Sequence, residues 1–176
     1  HNPDAGIDIE EMLPGGSHPA RVRLLKEEMI AFQAGMAFLK RKQKRHQAYS
    51  LSKEGEWTRE VKSNFPFELT KAQTKVVNEI KEDLSQVVPM MRLVQGDVGS
   101  GKTVVGALAA ALALDSSFQV AFMAPTTLLA EQHFVSLKYF FNKQAGKVAL
   151  LTGSTSASQR KKILQDLKDS KIKLLD

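Results

Sequence analysis

The stretch Gly96-Asp97-Val98-Gly99-Ser100-Gly101-Lys102-Thr103 decides how this chain of 176 residues is interpreted. It matches G-x-x-x-x-G-K-[ST] at every fixed position, a pattern whose backbone N–H groups hold the phosphates of a nucleoside triphosphate. Glycine lets the backbone curl so that these groups point inward, and we take all eight residues as nucleotide contacts. We expect Lys102 to reach the β- and γ-phosphates and Thr103 to hold Mg²⁺. The alternative is a glycine-rich turn with a solvated lysine, which the flanking strand and helix patterns disfavour.

Helical and strand-like patterns alternate around this loop. Apolar runs predict strands over residues 91–95, 118–124, 148–151 and 172–175. Helices are predicted over residues 70–84, 102–114, 126–141 and 156–168. Such alternation indicates βαβ units, so the predicted fold class is α/β, a parallel sheet flanked by helices on both faces.

The chain before residue 50 differs in texture. Residues 1–16 are predicted to be irregular, and a helix capped by Ser17 is predicted to run to about His46. Spacings of three and four predict one apolar stripe that packs on a neighbouring domain, formed by Val22, Leu25, Met29, Phe32, Met36 and Leu39. The spacing of Trp57, Val61 and Phe65 predicts a short helical face, and Pro66 ends it. We therefore expect two segments, a linker segment over residues 1–50 and an α/β unit over residues 51–176.

Composition excludes several classes of protein. The chain has no cysteine, which rules out disulfides and thiolate metal sites. Its longest apolar run, residues 104–114, is too short to span a bilayer, and no signal peptide is recognisable, so we expect a cytoplasmic protein without membrane segments. The net charge is +6, and five cations without an acid lie in residues 40–46. This cluster fits a polyanion partner or, as the residues alone favour, a solvated helix end.

Gln73 is a candidate for recognising the base. A glutamine amide pairs with adenine N6 and N7 at once. Phe65 or Phe67 is a candidate for stacking on the base, and Leu69 is a further candidate contact. Thr70 and Gln73 also have the spacing of a capping box, in which the glutamine folds back onto the backbone. The spacing leaves the two interpretations equally supported.

Two loops after predicted strands are candidates for binding a nucleic-acid backbone. The first contains Pro125, Thr126, Thr127 and Leu128, and the second contains Thr152 and Gly153. Free N–H groups at the start of each following helix would bind phosphate oxygens. The alternative is an ordinary helix cap, which the local sequence alone favours.

The order of these features resembles that of superfamily 2 helicases. Residues 90–103 and 123–133 resemble the RecG branched-DNA helicases, as do His18-Pro19-Ala20-Arg21-Val22-Arg23-Leu24 and Glu27-Glu28. The transcription-repair coupling factor shares the two motor stretches but not the upstream one. The resemblance implies a RecA-like lobe that uses ATP and Mg²⁺ in a monomeric motor, which remodels stalled forks and Holliday junctions of double-stranded DNA. It also implies that Gln73 reads adenine and that residues 125–128 with Thr152 and Gly153 contact the DNA backbone.

The chain departs from that family in what it lacks. The acidic Asp-Glu-x-x motif is absent, and its nearest candidate, Asp176, is the last residue. The second lobe, its arginine finger and the wedge domain are absent too. We therefore expect a portion of a helicase that is inactive alone. A standalone phosphate-loop kinase would need an acidic strand end and an arginine-rich lid, of which only Arg160 is present. An adaptor that holds ATP structurally is the third alternative.

Overall fold

The computed structural model describes residues 18–43 and 47–176, and these residues form two compact units that are divided after residue 47. The predicted irregular segment 1–16, the Ser17 cap and residues 44–46 lie outside the described residues. In the first unit, helix α1 spans Pro19–Gln43. All six residues of the predicted stripe are exposed on it, from Val22 at 37% to Met29 at 68%. Their packing on a neighbouring domain stays a prediction.

The second unit alternates helices and short strands. Its elements are α2 Glu56–Asn64, α3 Lys71–Leu84, α4 Lys102–Asp115, β1 Val120–Ala121, α5 Thr127–Phe140, a 3₁₀ helix Asn142–Lys147, β2 Val148–Ala149, α6 Ala157–Lys168 and β3 Leu174–Leu175. Each predicted helix is present within two residues of its expected bounds. Three of the four predicted strands form, each shorter than expected.

The sheet is parallel and its order is β1-β3-β2. Leu175 is in register with Ala121 on one side and with Ala149 on the other. Strands β1 and β2 therefore end at the same level. The loops that follow them leave from one edge of the sheet, the carboxyl edge of its strands.

The prediction of a buried strand over residues 91–95 is wrong. This segment forms no strand, and Leu93 is 89% exposed. Instead, Arg92 pairs with Glu79 at 2.5 Å and with Asp83 at 2.7 Å, both on α3. An apolar run becomes a buried strand only where neighbouring strands take up its N–H and C=O groups. None of the strands in the described part of the chain, residues 18–43 and 47–176, pairs with it.

The core lies around α4, the helix that follows the phosphate loop. Leu108 of α4, Leu137 of α5 and Leu174 of β3 are at most 2% exposed. Burial of each such leucine contributes about 1.5–3 kcal/mol. The Trp57 ring packs edge-on against Phe141 at 5.4 Å, and Val61 is fully buried, which confirms the predicted apolar face of α2. The loop at the start of α4 thus rests on the best-packed helix of the unit.

Helix α2 is attached to the far end of α4 by one carboxylate. Asp115 accepts hydrogen bonds from Gly55 N at 2.8 Å, from Trp57 N and Thr58 N at 3.0 Å each, and from Thr58 Oγ1 at 2.6 Å. These amides open α2 and have no partner within it, so the carboxylate satisfies them and opposes the helix dipole. No pattern in the sequence predicted this link.

No helix in the described ranges is long and apolar enough to cross a membrane.

Candidate functional site

The phosphate loop has the backbone that its glycines predict. Gly99 and Gly101 have φ angles of 81° and 83°, in the left-handed region that favours glycine. A Cβ on Gly101 would lie 2.3 Å from Gln73 Nε2, and one on Gly96 would lie 2.6 Å from Ser100 Oγ. Any larger residue at these two positions would therefore displace a neighbouring side chain.

The Lys102 ammonium lies across the loop. It donates to the carbonyl oxygens of Gly96 at 2.8 Å and Asp97 at 2.7 Å, and it lies 3.4 Å from Ser100 Oγ. The loop therefore holds its own cation where its carbonyls converge. A phosphate that entered would meet this charge and would replace the neutral carbonyl acceptors with anionic oxygens.

Thr103 is half-buried in the first turn of α4. The first N–H groups of that helix have no partner within it, which suits an anion. No group of three or more histidine or acidic side chains in the described residues is arranged to hold a metal ion. A single hydroxyl still fits Mg²⁺, because this ion takes most of its ligands from water and phosphate oxygens.

Gln73 forms the capping box. Thr70 N donates to its Oε1 at 2.9 Å, and its own N–H donates to Thr70 Oγ1 at 3.2 Å. Its Nε2 also donates to Ser100 O of the phosphate loop at 2.9 Å. The structural interpretation is thus confirmed. Recognition of adenine stays a prediction, and it is compatible with these bonds because one amide proton and one lone pair remain.

Gln73 and Lys102 line one cavity of about 440 Å³. Its apolar wall is formed by Ala72, Val76, Val94 and Val105. Small-molecule sites are commonly clefts of about 300–1,000 Å³ with apolar walls and few polar groups. This cavity is therefore our candidate nucleotide site.

Phe67 and Leu69 lie elsewhere. They line a neighbouring cavity of about 560 Å³ that does not include Gln73. Phe65 packs edge-on against Phe140 at 5.2 Å, whereas Phe67 stacks on Phe65 at 6.2 Å and is 51% exposed. Of the two rings proposed for base stacking, Phe67 is the accessible one. The structure does not bring it onto the cavity of Gln73.

The two candidate loops for nucleic acid lie at the carboxyl edge of the sheet. Thr126 caps α5, with its Oγ1 accepting from Leu129 N at 3.4 Å, and Leu128 is 65% exposed. Thr152 N donates to Thr155 Oγ1 at 2.9 Å. Pro125 and Thr127 flank the first cap, and Gly153 is exposed in the second loop. The parallel sheet brings the two loops to one edge, and their contact with DNA stays a prediction.

A buried carboxylate occurs where the sequence offered only a chain end. Asp176 follows β3 and is 7% exposed. Burial raises the pKa of Asp176, and the nearby charge of His133 opposes that rise. Both oxygens of Asp176 and Nδ1 of His133 have no hydrogen-bond partner in the described part of the chain. The sequence pointed to Asp176 only as the nearest candidate for an acidic motif, and nothing in it connected this residue with His133.

The chain is similar to known helicases. Residues 70–175 match the model of the DEAD/DEAH box helicase family. The chain is 39% identical to the ATP-dependent DNA helicase RecG of Pasteurella multocida over 175 residues, which are 99% of this chain and 25% of that protein. It is 45% identical to the RecG of Synechocystis over 157 residues, 89% of this chain and 19% of that protein. The chain thus spans about a quarter or less of the length of these relatives.

A solved structure gives the same result. The structure of RecG bound to a three-way DNA junction matches with a TM-score of 0.78 and 39% sequence identity. The match covers 89% of this chain and 21% of that one. The predicted fold class, a RecA-like parallel sheet flanked by helices, and the resemblance to RecG helicases are both confirmed.

Proposed function

Because the chain belongs to the DEAD/DEAH box helicase family, we propose that it is the ATP-binding part of an ATP-dependent DNA helicase that remodels branched double-stranded DNA. The observation that carries the proposal is the formed phosphate loop, with Lys102 held over it and Gln73 bonded to Ser100. RecG relatives at 39–45% identity support the DNA substrate. The whole protein would act as a monomer in the cytoplasm.

The proposed site binds nucleotide through local groups. The loop amides and Lys102 would hold the β- and γ-phosphates, Thr103 would hold Mg²⁺, and Gln73 would sense the base. Bound Mg²⁺ would neutralise the charge that develops on the transferred phosphoryl group. Hydrolysis also requires a carboxylate near the attacking water and an arginine finger. The proposal assigns both to parts of the protein beyond this chain.

The proposed DNA contact lies on the edge that also carries the helix starts. Residues 125–128 and Thr152 with Gly153 would bind backbone phosphates, because helix starts and hydroxyls suit them without reading sequence. Ligands of open parallel sheets bind at this edge. DNA and nucleotide would therefore bind to loops of the same lobe. Because these loops belong to one compact unit, binding of one ligand would alter the affinity for the other.

The test uses a full-length protein that contains this lobe, with Lys102→Ala beside the wild type. We expect wild type to bind a DNA fork more tightly than a linear duplex and to release phosphate faster when the fork is added. The loss of a charge-assisted bond, worth about 1.5–3 kcal/mol, should weaken MgATP binding about ten- to a hundredfold and abolish hydrolysis.

Titration calorimetry and a phosphate-release assay measure the two effects. Lys162→Ala, on the exposed surface of α6, is the control and should change neither. Unchanged MgATP affinity in Lys102→Ala would refute the phosphate role. Equal binding of fork and linear duplex by the wild type would refute the branched substrate.

A further inference from the structure

The two candidate DNA loops differ in charge. Residues 122–137, from the end of β1 through most of α5, contain no lysine or arginine and contain the acid Glu131. Nearly all of the attraction between a protein and the DNA backbone comes from cations that neutralise phosphates. The first loop can therefore position a DNA phosphate but has no cation to neutralise it. The positive charge at this edge of the sheet must come from another element.

Arg160 supplies a cation at the second loop. It lies in the first turn of α6, is exposed, and forms no salt bridge with the acidic residues that the structure describes. Its Nη2 donates to Thr152 O at 3.3 Å. Lys161 and Lys162 follow it, and the next acid along α6 is Asp166. The start of this helix is thus positive, and one of its cations is anchored to the loop.

The carbonyl group of Thr152, which accepts the bond from Arg160, is itself held in place by the turn. Thr155 N donates to Thr152 O at 3.2 Å, and Thr152 Oγ1 lies 2.8 Å from Ser154 Oγ. The carbonyl that receives Arg160 is therefore fixed by the turn. A guanidinium has five N–H donors in a planar fork that matches phosphate oxygens, so one bond to Thr152 leaves four donors available.

We propose that Arg160 binds a backbone phosphate of DNA beside Thr152 and Gly153 and supplies the charge of this strand-end site. The inference rests on the proposed function, because it names a further contact of the same DNA surface. Thr152 O orients the guanidinium, and the remaining donors take the phosphate. Arg160 contributes affinity that falls with salt, and it does not distinguish base sequence.

The test measures DNA affinity against salt concentration for the full-length protein and its Arg160→Gln variant. The variant should bind a fork about tenfold more weakly near 0.1 M salt. The slope of log affinity against log salt should become shallower by about 0.9, the value for one phosphate contact on duplex DNA. Arg160→Lys should keep the slope and recover part of the affinity, because it retains the charge without the planar fork.

Lys162→Gln is the matched control. It removes one charge from the same helix about 200° around its axis and should leave the slope unchanged. MgATP binding without DNA and the melting temperature should be equal in all four proteins. A shallower slope only in Arg160→Gln supports the inference. An unchanged slope in Arg160→Gln, or an equal change in Lys162→Gln, overturns the role of Arg160. In either case the proposed function still stands as long as the wild type binds the fork. Absence of DNA binding by the wild type overturns both.

Discussion

At the scale of single residues, Gln73 combines two tasks that its sequence context presented as alternatives. Its Oε1 completes the cap of α3, while its Nε2 reaches Ser100 of the phosphate loop. The glutamine therefore connects the start of one helix to the nucleotide loop of another. The amide serves both tasks because its oxygen accepts a hydrogen bond while its NH₂ group donates one.

Gln73→Glu separates these tasks. A glutamate keeps the acceptor that caps α3 and removes the donor that reaches Ser100 and, by our prediction, adenine. We expect unfolding stability close to wild type and ATP affinity at least tenfold lower, with a smaller loss for CTP. Thermal unfolding and calorimetry with both nucleotides measure this.

Gln73→Ala is the companion variant. It also removes the bond from Thr70 N to Oε1, while the bond from the backbone N–H of residue 73 to Thr70 Oγ1 remains, so its stability should fall by about 1 kcal/mol. Equal losses for ATP and CTP in both variants would return Gln73 to a purely structural role.

At the scale of elements, α4 links the nucleotide loop at its start to α2 at its end. Asp115 holds the first turn of α2 through four hydrogen bonds. Because the helix between Lys102 and Asp115 is buried along its length, α2 and the loop belong to one packed body.

Asp115→Asn should therefore be costly. The amide replaces one accepting oxygen with a donor that faces backbone N–H groups, and the charge that opposes the dipole of α2 is lost. We expect the free energy of unfolding to fall by about 2 kcal/mol, measured by urea denaturation. Asp169→Asn, at an exposed pair with Lys171, is the control and should change stability by less than about 0.5 kcal/mol. Similar losses in both would show that the four bonds contribute little.

At the scale of the whole molecule, the dependence of unfolding stability on pH reflects the burial and hydrogen bonding of the carboxylates. Burial raises the pKa of Asp176, whereas the hydrogen bonds from Lys81 and Lys62 lower that of Glu54. The two carboxylates therefore change the folding stability in opposite directions as the pH changes. Glu54 contributes stability above its unfolded pKa, and this is lost as the pH falls.

For Asp176 the sign is reversed. Between its unfolded pKa near 3.8 and its raised folded value, the native state binds more protons, so this group reduces stability as the pH rises through that window. Asp176→Asn removes the titration. The variant should become more stable relative to wild type as pH rises from about 4 to 7, in urea denaturation of the 176-residue chain. A difference that is constant with pH would contradict the burial effect.

The sequence alone determined the local features of this protein. The phosphate loop and the helices of the second unit, which lie within two residues of their predicted bounds, depend on residues close together in the chain. So does the cap at Thr70, which the spacing supported equally with base recognition. Backbone curvature, capping and helical periodicity are set within a few positions, so a pattern of glycines or apolar residues fixes them.

Tertiary structure decided what depends on a distant partner. Residues 91–95 have the apolar composition of a buried strand, but a strand needs a neighbour to bond with, and none of the described strands takes that place. Asp115 had no predicted role and Arg160 only that of a possible kinase-lid arginine, whereas the fold placed them beside the start of α2 and the carbonyl of Thr152. Hydrogen bonds across 57 to 60 residues, as those of Asp115 with the start of α2, leave no local periodicity in the chain, so only the packed structure reveals them.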